Sequence, residues 1–216
     1  MITQHLLITR PSHDYLTRYL SAWSEKFFSN AEAKNYSIID LQKKRANQKE
    51  FESIIKKRSP DFVVINGHGS DDVITGHENK PLITAGVNSS ALKGKITYAI
   101  SCRSARVLGK EVGGYDATAY IGYQEDFVLV YLTQFRTRPL LDTLVGMFLE
   151  PSNIVVTTLL KGHSVKDAVA RGKKEFLRNI QRLLTSETSA TQSSNVRFLL
   201  WDMQNLVAHG DKEKIL

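Results

Sequence analysis

Residues 61–72, Asp61-Phe62-Val63-Val64-Ile65-Asn66-Gly67-His68-Gly69-Ser70-Asp71-Asp72, decide how this chain of 216 residues is read. Four apolar, mostly β-branched residues, Phe62 to Ile65, stop abruptly at Gly67-His68-Gly69. A short run of this kind bounded by glycine reads as a buried strand, and the glycines mark the loop at its carboxyl end. In an open α/β sheet, ligands and reactive groups collect at that end. The pattern recurs where Ile96-Thr97-Tyr98-Ala99-Ile100 runs into Ser101-Cys102-Arg103-Ser104. Two such strands side by side would bring a histidine and the chain's single cysteine to one edge of the sheet.

Upstream, residues 5–9 and 36–41 predict strands. Tyr15, Leu16, Tyr19, Leu20, Trp23 and Phe27 recur at helical spacing, predicting a helix from a cap at Ser12 or Asp14 to about Phe28. A second helix is expected over 48–57, with Phe51, Ile54 and Ile55 on one face and Ser59-Pro60 as its stop. Strand, helix, strand, helix, strand is the order of a parallel sheet.

Past His68, residues 73–76 and 81–84 flank His77-Glu78-Asn79-Lys80 as a small hairpin. A short helix over 89–92, a helix over 104–112 and a fifth strand over 117–122 follow. The last third reads as helical: 127–148 broken at Pro139, a buried stretch over 153–160, and a long helix from Ser164 to about Leu184. Residues 185–195, TSETSATQSSN, cannot build a core and read as a mobile loop. Residues 196–201 and 205–208 offer a closing strand or a helix-plus-strand pair. Neither repeat nor boundary is visible, so residues 1–216 are expected to form a single α/β domain.

Hydrophobic content of 42% and charged content of 24% suit a soluble globular protein. A single cysteine excludes an internal disulfide. The first 15 residues lack a signal-peptide pattern, and no apolar run approaches the roughly 18 residues of a membrane span. The expectation is therefore a cytoplasmic protein with no membrane partner. The net charge of +7 is spread over Lys43-Lys44-Arg45, Lys56-Lys57-Arg58, Lys173-Lys174 and scattered single residues. No nucleic-acid-binding motif accompanies these clusters, so they are read as solvated helix faces rather than a nucleic-acid surface. The histidines show no metal-ligand spacing, and neither metal nor other cofactor is expected. His77 reads as an exposed hairpin tip, His163 as part of a helix entry and His209 as part of a tail; His5 and His13 have no legible partner.

The chemistry expected at the two strand exits is specific. A thiol at its normal pKa is only a few per cent thiolate near neutrality, and an imidazole or a helix N-terminus raises that fraction. Cys102 would have both, with His68 beside it and a helix beginning near Ser104. Glycines around His68 let the backbone approach a substrate closely. The amides of Gly69 and Cys102 are the natural oxyanion donors. Thiolate nucleophile, imidazole acid/base and two amides are the parts of a cysteine acyl-transfer site.

At these residues the chain resembles the caspase-like cysteine peptidases, the group of caspases, gingipains, clostripain, separase and CHAT domains. The resemblance lies in the strand into Gly67-His68-Gly69 and the strand into Ser101-Cys102-Arg103-Ser104-Ala105. It continues in Ala119-Tyr120-Ile121-Gly122-Tyr123, similar to the Ala-x-x-Gly strand of CHAT and gingipain-like members, and in Leu159-Leu160-Lys161-Gly162-His163-Ser164-Val165-Lys166-Asp167-Ala168, similar to a CHAT segment. It spans roughly residues 61–176. The Gln-Ala-Cys-x-Gly surround of the caspases is absent, so aspartate-directed specificity is not carried over.

The resemblance implies a three-layer sandwich, mostly parallel at its centre with helices on both faces. It also implies peptide-bond hydrolysis by a His68/Cys102 dyad, the histidine serving mainly to protonate the leaving amine. Several relatives hold Arg or Lys before the scissile bond with a carboxylate; the candidates here are Asp126 and Glu125, then Asp71 and Asp72. The partners implied are a protein or peptide substrate and an activating or sensor protein. Two alternatives stand beside this reading. One is a catalytically idle scaffold. The other is a nucleotide-binding α/β protein, which the lack of a G-x-G-x-x-G or Walker-type loop disfavours.

Overall fold

The structure is a computed structural model describing residues 4–185 and 193–216. Eight strands are present among them: β1 Gln4–Arg10, β2 Tyr36–Gln42, β3 Phe62–Asn66, β4 Val73–Thr75, β5 Pro81–Thr84, β6 Ile96–Ile100, β7 Ala119–Tyr123 and β8 Leu206–Gly210. Seven α-helices accompany them: α1 Tyr15–Ser24, α2 Phe28–Glu32, α3 Gln48–Arg58, α4 Leu108–Gly113, α5 Thr143–Leu160, α6 Val165–Leu183 and α7 Val196–Asn205. Six strands form one sheet in the order β2-β1-β3-β6-β7-β8; β4 and β5 form a separate antiparallel hairpin. The first five of the six are parallel, and only β8 runs against its neighbour.

Period-two alternation in the central strands sorts their side chains into two cores. Phe62, Val64, Ile96, Tyr98, Ile100, Ile121 and Tyr123 face one core with residues of α1, α5, α6 and α7. Val63, Ile65, Ala99 and Tyr120 face the other, with residues of α3, α4 and the β4-β5 hairpin. The result is the expected three-layer α/β sandwich.

Most elements fall where the sequence puts them, and the departures have local causes. The first helix ends at Ser24, its run continuing as a 3₁₀ turn over Glu25–Phe27 and then α2. Residues 127–142 are an irregular strap rather than a helix, with 3₁₀ turns at Thr133–Phe135 and Pro139–Leu141. The strap is organised by Asp142, fully buried, which accepts from the amides of Leu132 at 2.7 Å, Leu144 at 3.1 Å and Val145 at 3.2 Å and from the Tyr19 hydroxyl at 3.1 Å. A carboxylate so engaged serves as the N-cap of α5 and draws the chain before it out of helical geometry. α5 swallows the separate stretch expected at 153–160. By length and composition it is apolar enough to cross a bilayer, contrary to the sequence reading. Here it packs instead against α1 and α6, with Val145, Phe148, Val155 and Leu159 in the core. His209, read as tail, lies in β8 opposite Tyr120. Residues 185–195, read as a loop, fall mostly outside the described residues.

Two buried polar knots fix the carboxyl edge of the sheet. Arg10, 2% exposed at the end of β1, donates from Nε to Asp40 Oδ1 at 2.9 Å, from Nη2 to Asp40 Oδ2 at 2.6 Å and from Nη1 to Ser21 O at 2.9 Å, and pairs with Glu25. It locks β1 to β2 and to α1. Asn66, fully buried at the end of β3, donates through Nδ2 to Thr9 O at 3.1 Å and to Ser24 Oγ at 3.0 Å. Arg10 ends the strand before the loop to Asp14, and Asn66 ends the strand before the loop to His68.

Candidate active site

β3 and β6 are parallel neighbours with Asn66 opposite Ile100. His68 and Cys102 each lie two residues further on, so they leave the sheet side by side. His68 meets Asp14, the N-cap of α1, and lines a cavity with Val73, Thr75 and Asn79, while Cys102 packs against the core on the α1 and α5 face. Cys102 is half-buried rather than sealed in.

The glycines around His68 are sterically required. A Cβ on Gly67 would come within 2.1 Å of the Thr75 carbonyl oxygen, and one on Gly69 within 2.1 Å of Ser101 Oγ and 2.6 Å of Cys102 O. No side chain fits at these separations. The Gly69 and Cys102 amides take no part in the turn hydrogen bonds around them, which run from Ser70 N to Val73 O at 2.8 Å, Thr75 N to His68 O at 2.9 Å and Arg103 N to Glu125 O at 3.1 Å.

His68 has a partner that sequence reasoning missed. Its Nε2 lies 2.6 Å from Asp14 Oδ2. Burial pushes the Asp14 carboxyl up, but hydrogen bonds from the Thr17 amide, from His68 and from the Thr17 hydroxyl outweigh it and hold the group below its ordinary range. An ionised carboxylate only accepts, so Nε2–H donates and Nδ1 is left for other work. Asp14 was legible as a helix cap, since its side chain accepts from Thr17 N at 2.8 Å. Its second role, 54 residues from His68, has no local signal.

Cys102 is held differently. The expected helix starting near Ser104 begins only at Leu108, after a series of turns, so its first residue stands six positions beyond Cys102 rather than two. Sγ donates instead to the Phe127 carbonyl at 3.8 Å. Burial pushes the thiol above its ordinary range; Asp126 adds to this and Arg103 offsets part of it. At rest Cys102 is a thiol. Arg103, immediately after it, has φ of 52°, a left-handed conformation that costs a non-glycine residue about 1 kcal/mol. The strap covering Cys102 is pinned from α7: Trp201 Nε1 donates to Asp126 O at 2.9 Å, and Val128 N to Asp202 Oδ1 at 2.9 Å. Asp202 is fully buried, and burial drives its carboxyl well above the ordinary range.

Three of the four acids considered for substrate binding are engaged by the chain's own arginines. Arg103 Nε lies 3.1 Å from Asp126 Oδ1 and 3.6 Å from Asp71 Oδ1. Arg106 pairs with Glu125 and lies 3.6 Å from Asp71 Oδ1. Asp72 accepts from Ser70 Oγ at 2.7 Å. His13, for which the sequence offered no partner, lies 3.0 Å from Asn79 Oδ1 through Nε2 and packs edge-on to His77 at 5.3 Å between ring centroids.

No family model matches this chain, and no curated protein sequence matches it. Solved structures do. It superimposes on gingipain R (RgpB), an Arg-specific cysteine proteinase, with a TM-score of 0.57 at 12% identity, covering 99% of this chain and 47% of that one. This chain has the caspase-like fold. The complex of Porphyromonas gingivalis RgpB pro- and mature domains gives a TM-score of 0.57 at 11% identity, covering 99% and 48%. This chain thus spans about half the length of the gingipain chains, and at such identity the likeness is one of architecture.

Proposed function

We propose that this chain is a cysteine endopeptidase in which Cys102 is the nucleophile and His68 the acid/base group. The supporting observation is that these two residues follow the ends of adjacent parallel strands at the same level, each two positions beyond the paired Asn66 and Ile100. In the proposed cycle the Cys102 sulfur, once deprotonated, attacks the scissile carbonyl. The oxyanion is met by the Gly69 and Cys102 amides. His68 then protonates the leaving amine, and water, deprotonated by His68, hydrolyses the thioester and restores the thiol. Asp14 is a positioning residue: it holds the imidazole by Nε2 and stabilises its charged form.

The resting arrangement suits an enzyme switched on by another protein. The thiol is neutral and tied to Phe127 O, and His68 is tied to Asp14. Binding of a partner that lifts the strap over residues 126–130 would free the sulfur. For the residue before the scissile bond we propose Arg or Lys, competing with Arg103 for Asp126 and assisted by Asp72. Cleavage after basic residues that survives both Asp126→Ala and Asp72→Ala would remove that specificity. The proposed setting is cytoplasmic.

The deciding experiment is labelling with a peptidyl electrophile, with and without candidate partners. Wild-type protein should be modified at Cys102 and Cys102→Ala should not. Failure to label under any of these conditions would favour the catalytically idle scaffold.

A further inference from the structure

We propose that His13, Asp14 and His68 form a site for a divalent transition-metal ion, with Zn²⁺ the best fit, and that the bound ion silences the chemistry by capturing the His68 imidazole. The binding stands on geometry alone; the silencing rests on the catalytic reading of His68 given above. One ligand atom from each of the three residues lies within 4.8 Å of the others. Asp14 Oδ2 is 2.6 Å from His68 Nε2 and 3.4 Å from His13 Nε2. A tetrahedral zinc ion with bonds of about 2.0–2.1 Å holds its ligand atoms about 3.3 Å apart. The two observed distances bracket that edge, and the third pair, His13 with His68, lies within 4.8 Å.

Asn79 Oδ1, 3.0 Å from His13 Nε2, adds an oxygen at the same place. These atoms come from three segments, each braced by its backbone. Asp14 caps α1; Thr75 N donates to His68 O at 2.9 Å; His77 N donates to Ala46 O at 2.8 Å at the base of the turn carrying Asn79. His13 is 14% exposed, Asp14 and His68 35% each, so an ion can enter and keep a solvent ligand. Two imidazoles and one carboxylate suit zinc and its neighbours rather than calcium or magnesium, which take oxygen ligands.

Silencing follows from the tautomer. At rest His68 carries its proton on Nε2. An ion taking the Nε2 lone pair leaves the ring neutral with that proton transferred through solvent to Nδ1, so nothing is oxidised and the ring's proton count is unchanged. Neither nitrogen can then accept a proton. Cys102 is not a ligand, and a chelator should reverse the effect.

The test titrates metal-stripped protein with Co²⁺ as an optical probe, then displaces it with Zn²⁺. Tetrahedral Co²⁺ absorption is expected in wild type. His13→Gln should weaken binding at least about tenfold, whereas His77→Gln should change it by less than about twofold. In the same samples Zn²⁺ should slow electrophile labelling of Cys102, and the concentration required, read against each protein's own metal-free rate, should rise at least about tenfold in His13→Gln. Unchanged Co²⁺ affinity in His13→Gln, or no Co²⁺ absorption in wild type, overturns the site. If His13→Gln does not fold, imidazole ¹⁵N NMR of wild type decides: Zn²⁺ must move the signals of both His13 and His68, and an unmoved His13 overturns the proposal. Metal binding by a protein whose Cys102 never labels without metal, with or without candidate partners, would uphold the site and reject the peptidase reading.

Discussion

The exits of β3 and β6 are neighbours and look alike in sequence, yet they are held in opposite ways. His68 stands among polar groups, with an ionised Asp14 on one ring nitrogen and His13, His77 and Asn79 close by. Cys102 stands under an apolar strap, its thiol pushed up by burial and its sulfur turned to a backbone carbonyl. One end keeps a charge in place; the other keeps a charge from forming. Under the proposed peptidase reading, a site so divided has its base ready and its nucleophile dormant, and the strap is the part that would have to move.

The largest effect should come from removing the prepared end. His68→Ala should lower the rate of acylation and of hydrolysis at least about a thousandfold, leaving what the oxyanion amides and binding supply. Stopped-flow labelling checks it, and a loss under tenfold would mean that the two exits do not act together. Asp14→Asn is a finer cut. Asn still caps a helix, so folding should be little altered, but it removes the charge facing His68. We expect kcat to fall about a hundredfold with KM little changed. Asp14→Glu should restore part of kcat; an equal loss in both variants would make Asp14 merely structural.

The dormant end is tested through its strap. Asp202→Ala removes the acceptor of the Val128 amide, and alkylation of Cys102 by iodoacetamide should rise about tenfold without partner. In wild type that alkylation should develop only above the ordinary thiol range of about 8.5, and in the variant at lower pH. Equal profiles would show that the strap does not control the thiol. The smallest effect is on stability. The carboxyl of Asp14 sits below its ordinary value in the folded chain. Its contribution is fully present above the unfolded value of about 3.9 and is lost as pH falls through the lower folded value. Denaturant midpoints between about pH 5 and pH 2 should fall less steeply for Asp14→Asn than for wild type.

Where sequence reading succeeded and failed follows the range of the forces involved. Phe62 to Ile65 and Ile96 to Ile100 are strands because β-branched runs between breakers have few other uses. The steric need for Gly67 and Gly69 shows in the sequence as a histidine between two glycines. The 127–142 strap was misread because its apolar residues keep helical spacing while a single buried carboxylate, Asp142, binds the amides before and after it. The helix after Cys102 was placed too early because the turns around Arg103 are held by Glu125 and Asp126 at the end of β7, not by neighbours in sequence.

Sequence by itself determined the alternation of strands and helices, and with it the parallel sheet and the edge at which His68 and Cys102 emerge. These rest on residues within a few positions of one another, where periodicity, breakers and caps act. Only tertiary structure decided that His68 is paired with Asp14, that His13 joins them, and that Cys102 lies protonated beneath the strap. Each of those depends on which loops meet at the carboxyl edge, and that is set by packing between segments dozens of residues apart.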